Sequence, residues 1–250
     1  MLDQVVQKKL LSFANDNHFK KRGKLFFRII GDGVLQQLKF EYERTFGDYV
    51  LDIGLKSMYG ELEKNDFTSS GATPQYGVTQ YIGEKHPVIV TYEEILIPTK
   101  KTMMHTQKIS PLEQFEILEH YFFHRVDNIK THQQLIDEMF RLESETKRCS
   151  VKWNDMYKFA PFVKIGDYEN AEKVLKAILD QHQYAYEANK RFFSPEVYEK
   201  YMKKSEAEDA PLKLLYESVR NRDEVFLTKY LENNYQNNCI YAGLKTAKKA

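Results

Sequence analysis

The chain has 250 residues, and its 37 Lys plus Arg face 36 Asp plus Glu, leaving a formal net charge of +1. Near-neutrality excludes a strongly basic nucleic-acid scaffold and a generic binder of anionic membranes, since both depend on a sustained positive field. With 42% apolar and 29% charged residues the composition is that of a soluble globular protein, and its one departure is aromatic: 17 Tyr and 16 Phe beside a single Trp.

Leu2, Val5, Val6, Leu10 and Phe13 recur at helical spacing, so the opening segment predicts an amphipathic helix to about Asn17. It lacks the apolar core of about 7–15 residues that a secretory signal needs, and no export is expected. Later apolar runs such as Val88-Ile89-Val90 fall far short of the roughly 20 residues that span a bilayer. From Leu25 the period becomes two. Gly31-Asp32-Gly33 between apolar runs is a hairpin signal, and Leu38, Phe40, Tyr42 and Phe46 alternate with Lys39, Glu41 and Glu43, which predicts one buried and one wet face. A turn at Gly47-Asp48 leads into Tyr49, Leu51, Ile53 and Leu55, completing an antiparallel meander. The polar stretch from Gly60 to Pro74 reads as a long loop, of the kind that is functional or mobile. Tyr76–Ile82 and Val88–Tyr92 read as further strands, with Pro87 confining the second to an edge or a strand start.

Beyond Ser110 the signals are helical. Ser110-Pro111-Leu112-Glu113 and Thr131-His132-Gln133-Gln134 both carry capping logic. Asp167 is placed to cap a long helix with the stripe Ala171, Val174, Leu175, Ile178, Leu179 and Ala185. Ser194-Pro195-Glu196 starts another helix, and Pro211 is read as beginning a last pair that carries Leu212, Leu215, Val219, Phe226, Tyr230 and Leu231. The expected fold is α+β: an N-terminal helix on an antiparallel sheet of four or five strands, then a bundle or hairpin stack of about six helices. The expected domains are residues 1–108 and 109–250.

Four constellations bear on chemistry. His120 and His124 stand four apart on a helix, a spacing that lets two imidazoles grip one metal ion, but Tyr121 occupies the place where a zincin needs its general base. Lys20, Lys21, Arg22 and Lys24 precede Phe27 in the manner of a single-strand nucleic-acid platform, although lysines at such a connection more often keep a sheet edge soluble. Glu93 and Glu94 point to opposite faces of a strand, whereas Glu41 and Glu43 share the wet one. Cys149 and Cys239 show no Cys-x-x-Cys spacing and read as reduced thiols of a cytoplasmic protein. Lastly, Gly166-Asp167-Tyr168-Glu169-Asn170-Ala171 resembles the inter-helix turn of tetratricopeptide repeats, without an echo at the repeat period. No catalytic motif emerges, and no motif calls for a cofactor.

The order Phe13, Phe19-Lys20-Lys21-Arg22-Gly23-Lys24-Leu25-Phe26-Phe27-Arg28, Gly33-Val34, Leu38-Lys39-Phe40-Glu41 and Tyr49-Val50-Leu51-Asp52-Ile53-Gly54 is similar to an uncharacterised bacterial family, domain of unknown function 4304. The resemblance covers about the first hundred residues and continues loosely at Ile165–Ala171. Where the family shows a Gly-Tyr-Leu stretch and a later Trp pair, this chain has Gln80-Tyr81-Ile82-Gly83 and Tyr92. It implies a fold and a bacterial cytoplasm rather than a reaction, and by analogy a toxin-neutralising or protein-binding role. The resulting expectation is a non-enzymatic module whose partner is another protein, contacted through Tyr59, Phe67, Tyr76 and Tyr81 around the long loop and Tyr184, Tyr186, Tyr198 and Tyr201 on the later helices. The alternatives are a metal-dependent or a nucleic-acid-binding protein built on the histidine pair or the basic segment.

Overall fold

In a computed structural model of the chain, the described residues are 2–23, 25–43, 48–67, 78–82, 127–145 and 156–244. They belong to two compact units, the first formed by Met1–Met58, Leu62–Ser150 and Asn238–Ala250, the second by Tyr59–Glu61 and Val151–Asn237. The expected boundary near Lys108, the Ser110 helix and the Val88–Tyr92 strand lie outside the described residues.

The first unit opens with α1 (Leu2–Asp16), which buries Leu10 and Ala14. The expected meander follows as a five-stranded antiparallel sheet in sequence order: β1 (Lys20–Arg22), β2 (Leu25–Ile30), β3 (Val34–Glu43), β4 (Asp48–Ser57) and β5 (Val78–Ile82). Between β2 and β3 the chain reverses over Gly31-Asp32-Gly33, with Ile30 opposite Val34 and φ of +50° and +93° at the two glycines. Gly31 is required there twice over. Besides its left-handed backbone, a Cβ on it would lie 1.9 Å from the Lys130 carbonyl oxygen, which also accepts the Asp32 N–H at 2.9 Å.

The side chains of Lys39, Glu41 and Glu43, where a wet face is expected, lie outside the described residues; at 25–30, 34–38 and 54–57 both faces of the sheet are covered. Phe27, Gln37 and Gly54 are directly opposite one another on adjacent strands and share a face with Lys56. Over that face lies a short 3₁₀ turn, Lys64–Phe67. Its Phe67 meets Phe27 edge-on at 6.0 Å, and its Asp66 pairs with the Lys56 ammonium. On the other face Arg28, Gln36 and Ser57 meet the segment that leads into α2 (His132–Glu145). Arg28 pairs with Asp127, the Gln36 amide donates to the Ile129 carbonyl at 3.4 Å, and Ser57 bonds His132 at 2.8 Å. Gln36, Gln37 and Lys56 are thus each buried on a strand that alternation alone would leave half in water. The same contacts put α2 in the unit of the sheet. Its N-terminus is the capping box read from sequence: Gln134 N–H donates to Thr131 Oγ1 at 3.2 Å, and Gln134 Oε1 accepts the Thr131 N–H at 3.1 Å.

The second unit is helical, with α3 (Phe159–Lys164), α4 (Tyr168–Asn189), α5 (Pro195–Arg220) and α6 (Glu224–Tyr241), whose last turn belongs to the first unit. The Gly166 turn is a helical hairpin: Gly166 N–H donates to Val163 O at 3.1 Å and Asp167 N–H to Phe162 O at 2.9 Å, which closes α3 in a Schellman motif. Asp167 then caps α4, accepting the Asn170 N–H at 3.1 Å, and Ala171 is fully buried where the helices meet. Pro211 does not begin a helix. It lies inside α5, which runs unbroken from Pro195 to Arg220, so the reading of a last pair starting there is corrected. A proline costs the helix one amide donor, and the packing of Leu215 and Val219 beyond it is sufficient to carry the helix through. The chain is α+β, as its switch of period indicates. Among the described residues no helix is long and apolar enough to cross a membrane.

Candidate functional site

The helical hairpin α4–α5 changes character along its length. Near its base α4 buries Ala171, Val174, Leu175 and Ile178, and α5 buries Leu215 and Val219. Continuing the same stripes toward the apex, α4 presents His182, Tyr186 and Asn189, while α5 presents Tyr198, Tyr201, Ser205 and Asp209. An aliphatic interface therefore gives way to a polar and aromatic one.

Asp209 is buried, and its Oδ1 sits 2.7 Å from Nδ1 of His182. The His182 side chain is 40% exposed, and Nε2 has no partner among the described residues. With the carboxylate accepting from Nδ1–H, the ring is oriented so that Nε2 points away from Asp209. The Tyr186 ring lies 6.2 Å from the imidazole. Burial, and then the hydrogen bond and charge of Asp209, hold the Tyr186 hydroxyl above its ordinary range, against a hydrogen bond to buried Ser205 that lowers it. The imidazole of one helix thus answers the buried carboxylate of the other, with Tyr186 and Ser205 beside them.

Toward the apex the packing becomes aromatic. Tyr201 meets Tyr186 edge-on at 5.8 Å, Phe193 at 5.3 Å and Tyr198 at 6.3 Å, and its hydroxyl accepts from Asn189 at 3.0 Å. At the apex itself, the 3₁₀ turn Lys190–Phe192 leads into extended Phe193 and the Pro195 start of α5. Phe192 is 69% exposed, Val197 50% and Phe193 38%. The Arg191 guanidinium stands 4.8 Å from the centroid of the Phe192 ring, and the Lys190 ammonium 6.0 Å from that of Tyr198. This end of the hairpin joins apolar contact area to positive charge.

The tyrosines singled out on the helices are brought together in part. Tyr186, Tyr198 and Tyr201 form the cluster, whereas Tyr184 makes no ring contact among the described residues and is 77% exposed, two positions from Tyr186 and hence on another face. Around the long loop the expectation of a contact surface is corrected at Phe67, whose ring is fully buried over the sheet. The turn that carries it is anchored by Asp66, whose carboxylate also accepts the Glu63 N–H at 2.7 Å. Tyr59 stacks on Tyr235 at 4.8 Å with the Lys164 ammonium 3.9 Å from its centroid, so its faces are occupied within the second unit. Tyr81 stands opposite Val50 in β5, its side chain outside the described residues, as is Tyr76.

The basic segment is dispersed by the fold. Phe27 is 3% exposed and cannot stack on a base. Arg22 donates to the Tyr241 carbonyl, and Lys21 lies 5.5 Å from the centroid of Phe26. Lys20 is exposed on β1, and Lys24 lies outside the described residues. His120, His124 and Cys149 are likewise outside them, and Cys239 is buried. Among the described residues no cluster of three His, Cys, Asp or Glu is arranged to hold a metal ion.

The sequence reading passed over His182, Asp209, Phe192 and Phe193. A usable signal existed: His182 and Asp209 occupy core-facing positions of long amphipathic helices, where a lone polar residue implies a partner across the interface. No family model, curated protein or solved structure matches the chain.

Proposed function

We infer that the chain is a non-enzymatic protein-binding module and that the apex of the α4–α5 hairpin is its contact surface. The observation that carries this reading is the apex itself, where Phe192 and Phe193 on the turn and Val197 in the first turn of α5 are each exposed, with Tyr201 packed on Phe193. Exposed rings on a fixed backbone lose little conformational freedom when they are covered, which is why aromatic residues concentrate binding energy at interfaces. A toxin-neutralising role is the narrower form of this reading and predicts a partner that is harmful when produced alone.

The test is recovery of partners by the tagged full chain from the lysate of its own source, wild type beside a Phe192→Ala/Phe193→Ala variant. A defined protein held by the wild type and lost by the variant is the expected outcome. Equal recovery by both, or none under several salt conditions, would remove the reading.

A further inference from the structure

We propose that the apex of the α4–α5 hairpin takes an acidic peptide segment of its partner, one that sets carboxylates beside a bulky apolar side chain. This specifies, and rests on, the protein-binding reading above. The apolar half of the argument is the exposed group Phe192, Phe193 and Val197. One face of the Phe192 ring is backed by Arg191, and a ring that remains 69% exposed has the rest of its surface free for a partner's side chain.

The charged half follows from accounting for each nearby ion. Lys190, Arg191 and Lys200 are exposed, and none has an ion-pair partner among the described residues. Of the carboxylates at the same end, only Glu199 has an ion-pair partner among the described residues, and Glu187 keeps its charge beside a neutral amide. Glu199 pairs with Lys203 at 2.8 Å, and Glu187 accepts the Gln183 amide at 3.0 Å. Glu196 lies in the first turn of α5, where the free amides of the helix end favour a negative charge. Lys190 and Arg191 therefore stand beside aromatic rings without an ion-pair partner among the described residues. A partner that answers both brings carboxylates for Lys190 and Arg191 and an aliphatic or aromatic anchor for Phe192. The short 3₁₀ turn fixes the backbone that carries these groups, and Tyr201 packs on Phe193 and Tyr198 behind it.

A random-peptide display library panned on the full chain tests this, with Lys190→Glu/Arg191→Glu and Phe192→Ala as counter-selections. All three positions are exposed, and circular dichroism is the check that the variants fold. The expected result is enrichment of peptides that join Asp or Glu to Phe, Leu, Ile or Trp. A synthetic representative then binds the wild type more weakly as salt rises and loses at least about tenfold in affinity on either variant. Enriched peptides without an acidic bias, or acidic ones held equally by the charge-reversed chain, overturn the acidic assignment while leaving the protein-binding reading intact if Phe192→Ala still abolishes binding. No enrichment above an unrelated control protein overturns both. A single-stranded oligonucleotide retained by the wild type and released by Lys190→Glu/Arg191→Glu, with no peptide selected, replaces the partner by a nucleic acid.

Discussion

Four helix ends of this protein use one device, and they differ in the residue that bears its cost. α1, α3, α5 and α6 each close with paired reverse bonds, for example Asp223 N–H to Ser218 O at 2.8 Å and Arg222 N–H to Val219 O at 3.0 Å. The residue just past the helix must turn left-handed. Gly166 and Gly243 do so at φ +77° and +66°, but His18 and Arg222 do so at +60° and +51° with a Cβ in place. A left-handed non-glycine residue costs about 1–2 kcal/mol, and replacing it by glycine loosens the unfolded chain by about 0.4–1 kcal/mol. Arg222→Gly is accordingly expected to raise stability by about 0.5–1 kcal/mol net, even with loss of the guanidinium that stands 6.0 Å from the Tyr168 ring centroid. Gly166→Ala, at a site with no atom within 4 Å of the added Cβ, is expected to lower stability by about 1 kcal/mol through backbone strain alone. Urea unfolding midpoints of the two variants check both signs, and a fall for Arg222→Gly would refute the argument.

At the scale of elements, the sheet shows which parts of the fold local pattern can reach. Alternation located β2, β3 and β4, and side-chain chemistry located the caps at Thr131 and Asp167, because each of those signals lies within a few residues of what it specifies. The burial of Gln37 and Lys56 depends on Asp66, whose carbonyl accepts the Gln37 amide at 2.6 Å and whose carboxylate meets the Lys56 ammonium. No period along β3 or β4 contains that information. Phe67 and the His182–Asp209 pair were misread or missed for the same reason, being fixed by partners 40 residues away for Phe27 and 27 for Asp209. The Lys56–Asp66 pair also permits a sharp test. Removing one partner leaves a buried charge unanswered, so Lys56→Met is expected to destabilise by about 3–5 kcal/mol. Adding Asp66→Asn, which keeps an acceptor for the Glu63 N–H, restores most of that loss because neither buried charge then remains. A double-mutant cycle in urea measures the coupling, and additive losses would mean that the ammonium and carboxylate do not depend on each other.

Across the molecule four of the tyrosines share one setting, a phenol placed against a carboxylate. Tyr230 donates to Glu61 at 2.5 Å, Tyr216 donates to Glu172 at 3.1 Å, Tyr186 shares Asp209 with His182, and Tyr198 lies in the field of Glu187. In all four, burial is the first cause and the neighbouring carboxylate a further one by which the hydroxyl is held above the usual tyrosine range, and the effect is largest at Tyr230. The sign for stability follows. A group whose folded state keeps its proton more tightly contributes fully below the ordinary value of about 10, and that contribution drains away as pH rises toward the folded value. Stability is therefore expected to hold level to about pH 9.5 and then decline, in the same range in which lysines begin to lose their charge. Tyrosinate absorbance in the native protein should titrate in two parts, an early one from exposed phenols and a late one that coincides with loss of helical circular dichroism. Tyr230→Phe separates the two causes. It gives up the bond to Glu61 and so lowers stability near neutrality, yet it flattens the alkaline decline because the most strongly held proton is no longer present to be lost. A single early titration of all phenols, or an unchanged decline in Tyr230→Phe, would show that the carboxylates do not hold these hydroxyls in the folded chain.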